Sequence, residues 1–236
     1  MMAKYNKEIF GDPALETVHF IGIGGMGMSA LAAIMLDLGY RVTGSDLYSS
    51  EPTENLIARG AEIIRGHEAS ALPGRGAVVF STAIDPDNPE LSRAREKGFP
   101  VLHRSDLLKR LLDLKKGMAV SGSHGKTSTA ALLTHILEEG GAEPAFALGG
   151  LVPDLEGNGS WGEGEWMVVE ADESDGSFLK LRPVREIITG LDPDHFNHYR
   201  EESDLIRAFE KFIGHLPSSG RLLINERTPC LDDVTR

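Results

Sequence analysis

Gly122-Ser123-His124-Gly125-Lys126-Thr127-Ser128-Thr129 lies between a short apolar run, Met118-Ala119-Val120, and a helical pattern over residues 130–138. Strand, glycine-rich turn, Gly-Lys-Thr and helix form the layout of a phosphate-binding loop. The glycines let backbone N–H groups crowd around phosphate oxygens, and the helix N-terminus adds partial positive charge. In that layout Lys126 reaches the β- and γ-phosphates, and the Thr127 hydroxyl ligates Mg²⁺. The spacing is short, because only Ser123 and His124 separate Gly122 from Gly125-Lys126. Nucleotide binding is still the expectation, since a plain turn would leave Lys126 without a purpose.

Upstream of the loop, strands and helices alternate. Residues 17–23 read as a buried strand, followed by Gly22-Ile23-Gly24-Gly25-Met26-Gly27 and an apolar helix through Leu36 that Gly39 closes. Further strands are predicted at residues 41–46, 61–64, 77–81 and 100–102. Helices are predicted at residues 54–59, 89–97 and 106–114, the last capped by Ser105. This alternation implies a mostly parallel sheet with right-handed crossovers. Lys115-Lys116-Gly117 marks a boundary, after which strand, loop and helix start again. The fold class is therefore α/β: one parallel-sheet domain over residues 1–115 and a second, phosphate-loop domain over 116–236. In the second domain, residues 149–164 read as a glycine-rich loop or a small irregular excursion, 167–172, 186–192 and 221–225 as strands, and 204–216 as an amphipathic helix capped by Ser203.

The 236 residues are 41% hydrophobic and 25% charged, which suits a soluble globular protein with a sizeable core. A net charge of −12 argues against a sequence-independent grip on nucleic acid or an anionic membrane. Cys230 is the single cysteine, so no intrachain disulfide framework exists. No apolar run has the length of a signal peptide or approaches the ~18 residues of a membrane span. These features together predict a cytoplasmic protein.

Three further motifs carry chemistry. Gly22-x-Gly24-x-x-Gly27, with Asp46 on the next strand, matches the dinucleotide fingerprint. Read by its physics, it offers a diphosphate site at a helix N-terminus; tight strand–helix packing would need the same glycines. Glu170-Ala171-Asp172-Glu173-Ser174-Asp175 ends a strand, where open parallel sheets place ligands, so at least one of its acids is a metal-ligand candidate. Asp192-Pro193-Asp194-His195 ends another strand. His195 could serve there as metal ligand, general base or structural histidine, and His198 and His124 are weaker candidates. Ser81-Thr82-Ala83-Ile84 ends a strand of the first domain, where small hydroxyl residues can approach a ligand.

In order and over residues 18–225, the run His19–Ser29, Gly44-Ser45-Asp46, Ser81–Ile84, the loop Gly122–Thr129, Glu170–Asp175 and Asp194-His195 resembles the Mur ligases. The two-residue gap in the loop is that family's own form; Ser123 and Ser128 stand where it usually has Thr, and both keep a hydroxyl. The resemblance implies a Rossmann-like UDP-sugar domain and a central ATP-binding domain, the latter incomplete here, with the family's third, amino-acid-binding domain absent. It is greatest to the members that couple L-alanine to UDP-N-acetylmuramate through an acyl phosphate, using ATP and Mg²⁺.

By the same resemblance, residues Gly122, Ser123, His124, Gly125, Lys126, Thr127 and Ser128 hold ATP, and Lys126, Glu170 and His195 are the catalytic set. Thr127 and Glu170 would hold one Mg²⁺ and His195 a second. Gly22, Gly24, Gly25, Met26, Gly27 and Met28 would cradle the UDP-sugar diphosphate, with Ser45, Asp46, Ser81, Thr82 and Ala83 around the nucleoside. Three alternatives are a family member that recycles whole murein peptides, a non-catalytic UDP-sugar- or nucleotide-binding module, and an NAD oxidoreductase. The last leaves the Gly122 loop and both acid clusters idle. The sequence does not determine an oligomeric state. Because the family's third domain helps hold ATP and the amino acid, residues 1–236 alone are expected not to complete ligation. Alanine-dependent phosphate release by the purified chain would refute that expectation.

Overall fold

A computed structural model describes residues 5, 9–191, 199, 201–226 and 228. The chain divides into two compact units, Met1–Arg110 with Gly149–Trp161, and Leu111–Leu148 with Gly162–Arg236.

The first unit is built on β1 (Thr17–Ile21), β2 (Arg41–Asp46), β3 (Glu62–Arg65), β4 (Ala77–Phe80) and β5 (Val101–His103). They form one sheet in the order β3-β2-β1-β4-β5, every pair parallel. The chain winds outward from β1 in one direction and returns at β4 to wind in the other. A crevice at the carboxyl ends of β1 and β4 follows from that reversal.

Helix α1 (Met26–Asp37) is apolar almost all round and buries every residue from Met28 to Met35. Gly44 of β2 has no room for a side chain: a Cβ there would lie 2.7 Å from Ile23 Cδ1 and 2.8 Å from Phe20 O. Helix α2 (Glu51–Ala58) starts three residues before the predicted Glu54. Ser50 N–H donates to Thr53 Oγ1 at 2.8 Å and the Thr53 hydroxyl donates to Ser50 O at 2.7 Å, which closes the first turn early. In α3 (Pro89–Glu96), Asn88 Oδ1 accepts from the N–H groups of Glu90 and Leu91 at 2.9 and 3.1 Å, and Pro89 opens the helix.

Two expectations fail in this unit. Ser105 does not cap its helix; α4 (Arg104–Leu112) already begins at Arg104, and the Ser105 hydroxyl meets His103 Nδ1 at 2.7 Å. Residues 149–164 are not simply a loop. Strand β7 (Ala145–Val152) runs into them, a 3₁₀ turn at Pro153–Leu155 follows, and β8 (Gly157–Ser160) comes next. The Asn158 amide donates to Met26 O at 2.8 Å and Ser29 Oγ at 3.0 Å, and Trp161 N–H donates to Asp37 at 2.9 Å. Gly159 passes so close to the Ala30 backbone that a Cβ would clash with it. Long-range contact with α1, invisible to local patterning, gives this polar, glycine-rich stretch its structure.

The second unit carries β6 (Lys116–Ser121), β9 (Trp166–Glu170), β10 (Arg185–Ile188) and β11 (Arg221–Ile224). With β7 and β8 they give the order β11-β10-β6-β9-β7-β8. The pairs β10–β11, β10–β6, β6–β9 and β7–β9 are parallel. Helix α5 (Lys126–Glu139) follows β6 across the loop. Helix α6 (Glu202–Ile213) buries Leu205, Ala208, Phe209 and Phe212, and Phe178 packs on Phe209 and Phe212 with ring centroids 5.3 and 4.7 Å apart. Its N-cap is Glu201 rather than the predicted Ser203, which lies inside the first turn. No described helix is long and apolar enough to cross a membrane.

Glu186 stands in the middle of β10 between Ala119 and Leu222, 1% exposed, with no hydrogen-bond partner among the described residues for either carboxylate oxygen. Burial pushes its pKa from an ordinary 4.5 up to about 8. The unfolded chain ionises this group near 4.5 and the folded chain only near 8, so the folded state holds the proton more tightly. Stability therefore falls as pH rises through that window, by ~1.4 kcal/mol per pH unit at most. Glu186→Gln should remove that slope. The variant should melt several degrees above the parent at pH 8 and level with it near pH 4.5; parallel melting curves across the range would refute the assignment.

Candidate functional site

In the second unit, the loop between β6 and α5 is shaped by its neighbour β10. Thr189 N–H donates to Ser121 O at 3.0 Å and Ser123 N–H donates to Gly190 O at 2.9 Å, so the β6–β10 ladder continues past both strand ends. The Thr189 hydroxyl donates to His124 O at 2.6 Å, with Ser121 O 3.2 Å away. Gly122 has φ +122 and Gly125 has φ +77, a backbone region that L side chains rarely adopt. At Gly122 a Cβ would also clash with Thr189 Oγ1 and lie 2.7 Å from Gly190 O. Gly125 is the N-cap of α5 and lends its carbonyl to Thr129 N–H at 3.0 Å.

Lys126 and Thr127 therefore open the helix, where N–H groups have no intrahelical acceptor. Thr127 is partly buried, while Gly125, His124 and Ser128 face solvent. The Lys126 ammonium donates to Gly122 O at 2.8 Å and to Glu173 Oε1 at 3.1 Å. Glu170 ends β9 opposite Val120, and Ala171 N–H donates to Val120 O at 2.9 Å, so its half-buried carboxylate is set at the loop end of the sheet. Tyr199 donates its hydroxyl to Glu173 O at 2.9 Å. Burial, with the charges of Glu173, Asp175 and Asp172, pushes the Tyr199 pKa up to about 12, so it stays a donor.

The predicted metal set is only partly placed. A threonine hydroxyl and a carboxylate are the hard oxygen donors that Mg²⁺ takes when phosphates and water complete its octahedron. Thr127 and Glu170 supply that chemistry. His195, with Asp192, Asp194 and His198, lies outside the described residues. Among the described residues, no three His, Cys, Asp or Glu side chains converge on a metal position.

The second candidate site, in the first unit, is the turn after β1. Gly22 has φ +75, and the N–H groups of Gly22 and Ile23 donate to Ser45 O at 2.8 and 3.1 Å. Gly25 caps α1, Met26 is 40% exposed, and Gly27 begins the helix with it. Met28 lies deeper. Its side chain is buried and its N–H bonds Gly25 O at 2.9 Å, which leaves Met26 and Gly27 as the first-turn donors.

Asp46 serves the turn itself. One carboxylate oxygen accepts from Gly24 N–H at 2.8 Å and the other from Tyr48 N–H at 3.2 Å. Ser45 is fully buried and donates to Glu90 Oε1 at 2.7 Å. Of the loop after β4, Ser81 is half-buried, and Thr82 and Ala83 are exposed.

Motif reading missed several residues of these sites. Glu90 accepts from His19 Nε2 at 2.6 Å and sits 2.9 Å from His67 Nδ1, while His19 Nδ1 meets Thr43 Oγ1 at 2.8 Å. An ionised carboxylate only accepts, so both histidine nitrogens facing it carry protons. Burial raises the Glu90 pKa, but the bonds from His19, Ser45 and His67 outweigh it, and the carboxyl ends below its usual range. Arg104 was also missed: a Cβ on Gly27 would lie 3.2 Å from its Nη1, so the guanidinium rests against the first turn of α1. Nothing in the spacing of these residues reveals them, since they join through the tertiary fold. Thr189 was legible only as part of a strand.

Residues 17–116 match the family model described as Mur ligase family, catalytic domain, and residues 120–236 match the Mur ligase middle domain. The chain is 50% identical over 216 residues to the UDP-N-acetylmuramate–L-alanine ligase of Pelotomaculum thermopropionicum, covering 92% of this chain and 46% of that one. With the ligase of the same name from Herminiimonas arsenicoxydans it shares 44% over 222 residues, covering 94% and 46%. Among solved structures, UDP-N-acetylmuramate-alanine ligase from Thermotoga maritima superposes with a TM-score of 0.82 at 33% identity, covering 92% of this chain and 51% of that one. The UDP-N-acetylmuramate:L-alanyl-gamma-D-glutamyl-meso-diaminopimelate ligase from Neisseria meningitides gives 0.86 at 26% identity, covering 94% and 74%. The chain thus spans about half the length of the curated relatives it matches.

Gly122→Ala should strain the loop backbone and push Thr189 aside, at a cost of about 2 kcal/mol or more. Chemical denaturation should show that loss, and a variant as stable as the parent would contradict the packing described for Gly122.

Proposed function

This chain belongs to the Mur ligase family, and from that premise we propose that it carries the UDP-sugar and ATP sites of a ligase joining L-alanine to the carboxylate of UDP-N-acetylmuramate. The observation that carries the reading is 50% identity with an alanine-adding ligase across 92% of the chain. The structural likeness to a murein-peptide ligase is high at a TM-score of 0.86, but at 26% identity it speaks for shared architecture more than shared substrate. Cytoplasmic action fits a reaction that consumes ATP and a nucleotide sugar.

In this reading the muramate carboxylate attacks the γ-phosphorus of ATP, forming an acyl phosphate and releasing ADP. The amine of L-alanine then attacks the acyl carbon, loses a proton and expels phosphate, leaving an amide. Charge gathers on the transferring oxygens, and fixed donors must offset it. The N–H groups of Lys126, Thr127 and Ser128, which open α5, and the Lys126 ammonium provide those donors. The diphosphate of the UDP-sugar would rest on the turn from Gly22 to Gly27, with Met26 and Gly27 N–H toward it. Thr127 and Glu170 would hold Mg²⁺ at the loop, with His195 toward a second ion. When bound, Mg²⁺ neutralises charge on the β- and γ-phosphate oxygens.

Lys126→Ala should abolish nucleotide binding in calorimetry while leaving UDP-N-acetylmuramate binding at the parent's level. Undiminished nucleotide binding would overturn the assignment, and loss of both ligands would show that the variant is misfolded.

A further inference from the structure

Glu173 is fully buried, while the Lys126 ammonium beside it keeps 16% of its side-chain surface exposed. The backbone that carries Glu173 is held in a turn. Glu173 O accepts from Gly176 N–H at 3.0 Å and from the Tyr199 hydroxyl at 2.9 Å. A lysine ammonium has three N–H donors on a flexible four-carbon stem. Two of these donors are fixed here, one on Gly122 O at 2.8 Å and one on Glu173 Oε1 at 3.1 Å. With two bonds of a tetrahedral ammonium set, the direction of the third follows.

We propose that Glu173 is a positioning residue for the nucleotide site, aiming the remaining Lys126 N–H at the terminal phosphates of a bound nucleoside di- or triphosphate. The proposal rests on the reading of Gly122–Thr129 as a nucleotide loop. It separates the roles of two acids three residues apart: Glu170 faces the metal and phosphates, and Glu173 faces the lysine. A side chain held in place before the ligand arrives loses less conformational freedom on binding, and that difference appears as affinity.

The test uses the whole chain, with Mg·ADP as the probe in calorimetry and thermal melting measured alongside. Glu173→Leu fills the buried volume without an acceptor, and Glu173→Gln keeps an acceptor without the charge. Glu173→Leu should bind Mg·ADP about tenfold more weakly and Glu173→Gln about threefold more weakly, with the leucine variant melting no lower than the glutamine variant. Affinity that tracks melting temperature would make Glu173 merely structural and overturn the proposal. Unchanged or tighter binding by Glu173→Leu would also overturn it, because the carboxylate would then only hold the ammonium back. If Glu173→Leu does not fold, Glu173→Gln decides: threefold weaker binding at an unchanged melting temperature supports the proposal, and parental affinity refutes it. A parent chain that binds no Mg·ADP fails differently, since the nucleotide reading of the loop then falls and the role of Glu173 falls with it.

Discussion

The phosphate loop depends on how closely β6 and β10 come together where both end. Two backbone hydrogen bonds, Thr189 to Ser121 and Ser123 to Gly190, carry the ladder beyond the strands. They hold the loop so near Thr189 and Gly190 that position 122 has no space for a Cβ. The backbone then turns through two positive-φ glycines and delivers Lys126 to the first position of α5. In the proposed reading, what the loop brings to a nucleotide follows from that approach: the helix N–H groups and the lysine toward the phosphates, and the carboxylate of Glu170, ending the next strand, toward the metal.

The turn proposed for the UDP-sugar diphosphate, in the first unit, is held by another route. It is held through Asp46, whose carboxylate takes the N–H groups of Gly24 and Tyr48. In a nicotinamide enzyme the acid at this place would be turned to a ribose hydroxyl. Here it closes the turn and adds negative charge beside it. Arg104 lies across Gly27 with charge of the opposite sign. Within the same unit, Glu90 gathers His19, His67 and Ser45 around one buried carboxylate. Such a network is stable only when each member finds its partner, and it ties β1, β2, the segment after β3 and the first turn of α3 into one arrangement.

The two buried glutamates of the second unit show that location alone does not decide what a buried acid does. Glu173 is paired with Lys126, and its backbone carbonyl is held by Tyr199. Glu186 sits in the centre of a strand with neither oxygen bonded by a described residue, and its pKa is driven up to about 8. The first belongs to the chemistry of the loop, while the second is a cost carried by the sheet. One is a letter in an acidic cluster after a strand and the other a letter within a strand, and their partners distinguish them.

The sequence by itself determined the α/β class, the parallel alternation, both glycine-rich turns and the order of the motifs, because these depend on local periodicity and on backbone freedom at particular glycines. It also located Lys126, Thr127 and Glu170 at the ends of their elements. It misplaced the starts of α2, α4 and α6, and it read β8 and the end of β7 as a loop or a small irregular excursion. Those strands are rich in glycine and alanine and take their form from neighbours distant in the chain. The partners of Asp46, Glu90 and Glu173 were beyond its reach for the same reason. A hydrogen bond to a residue tens of positions away leaves no periodic trace, so only the tertiary structure could decide which acid gathers two histidines, which one holds a lysine and which one closes a turn.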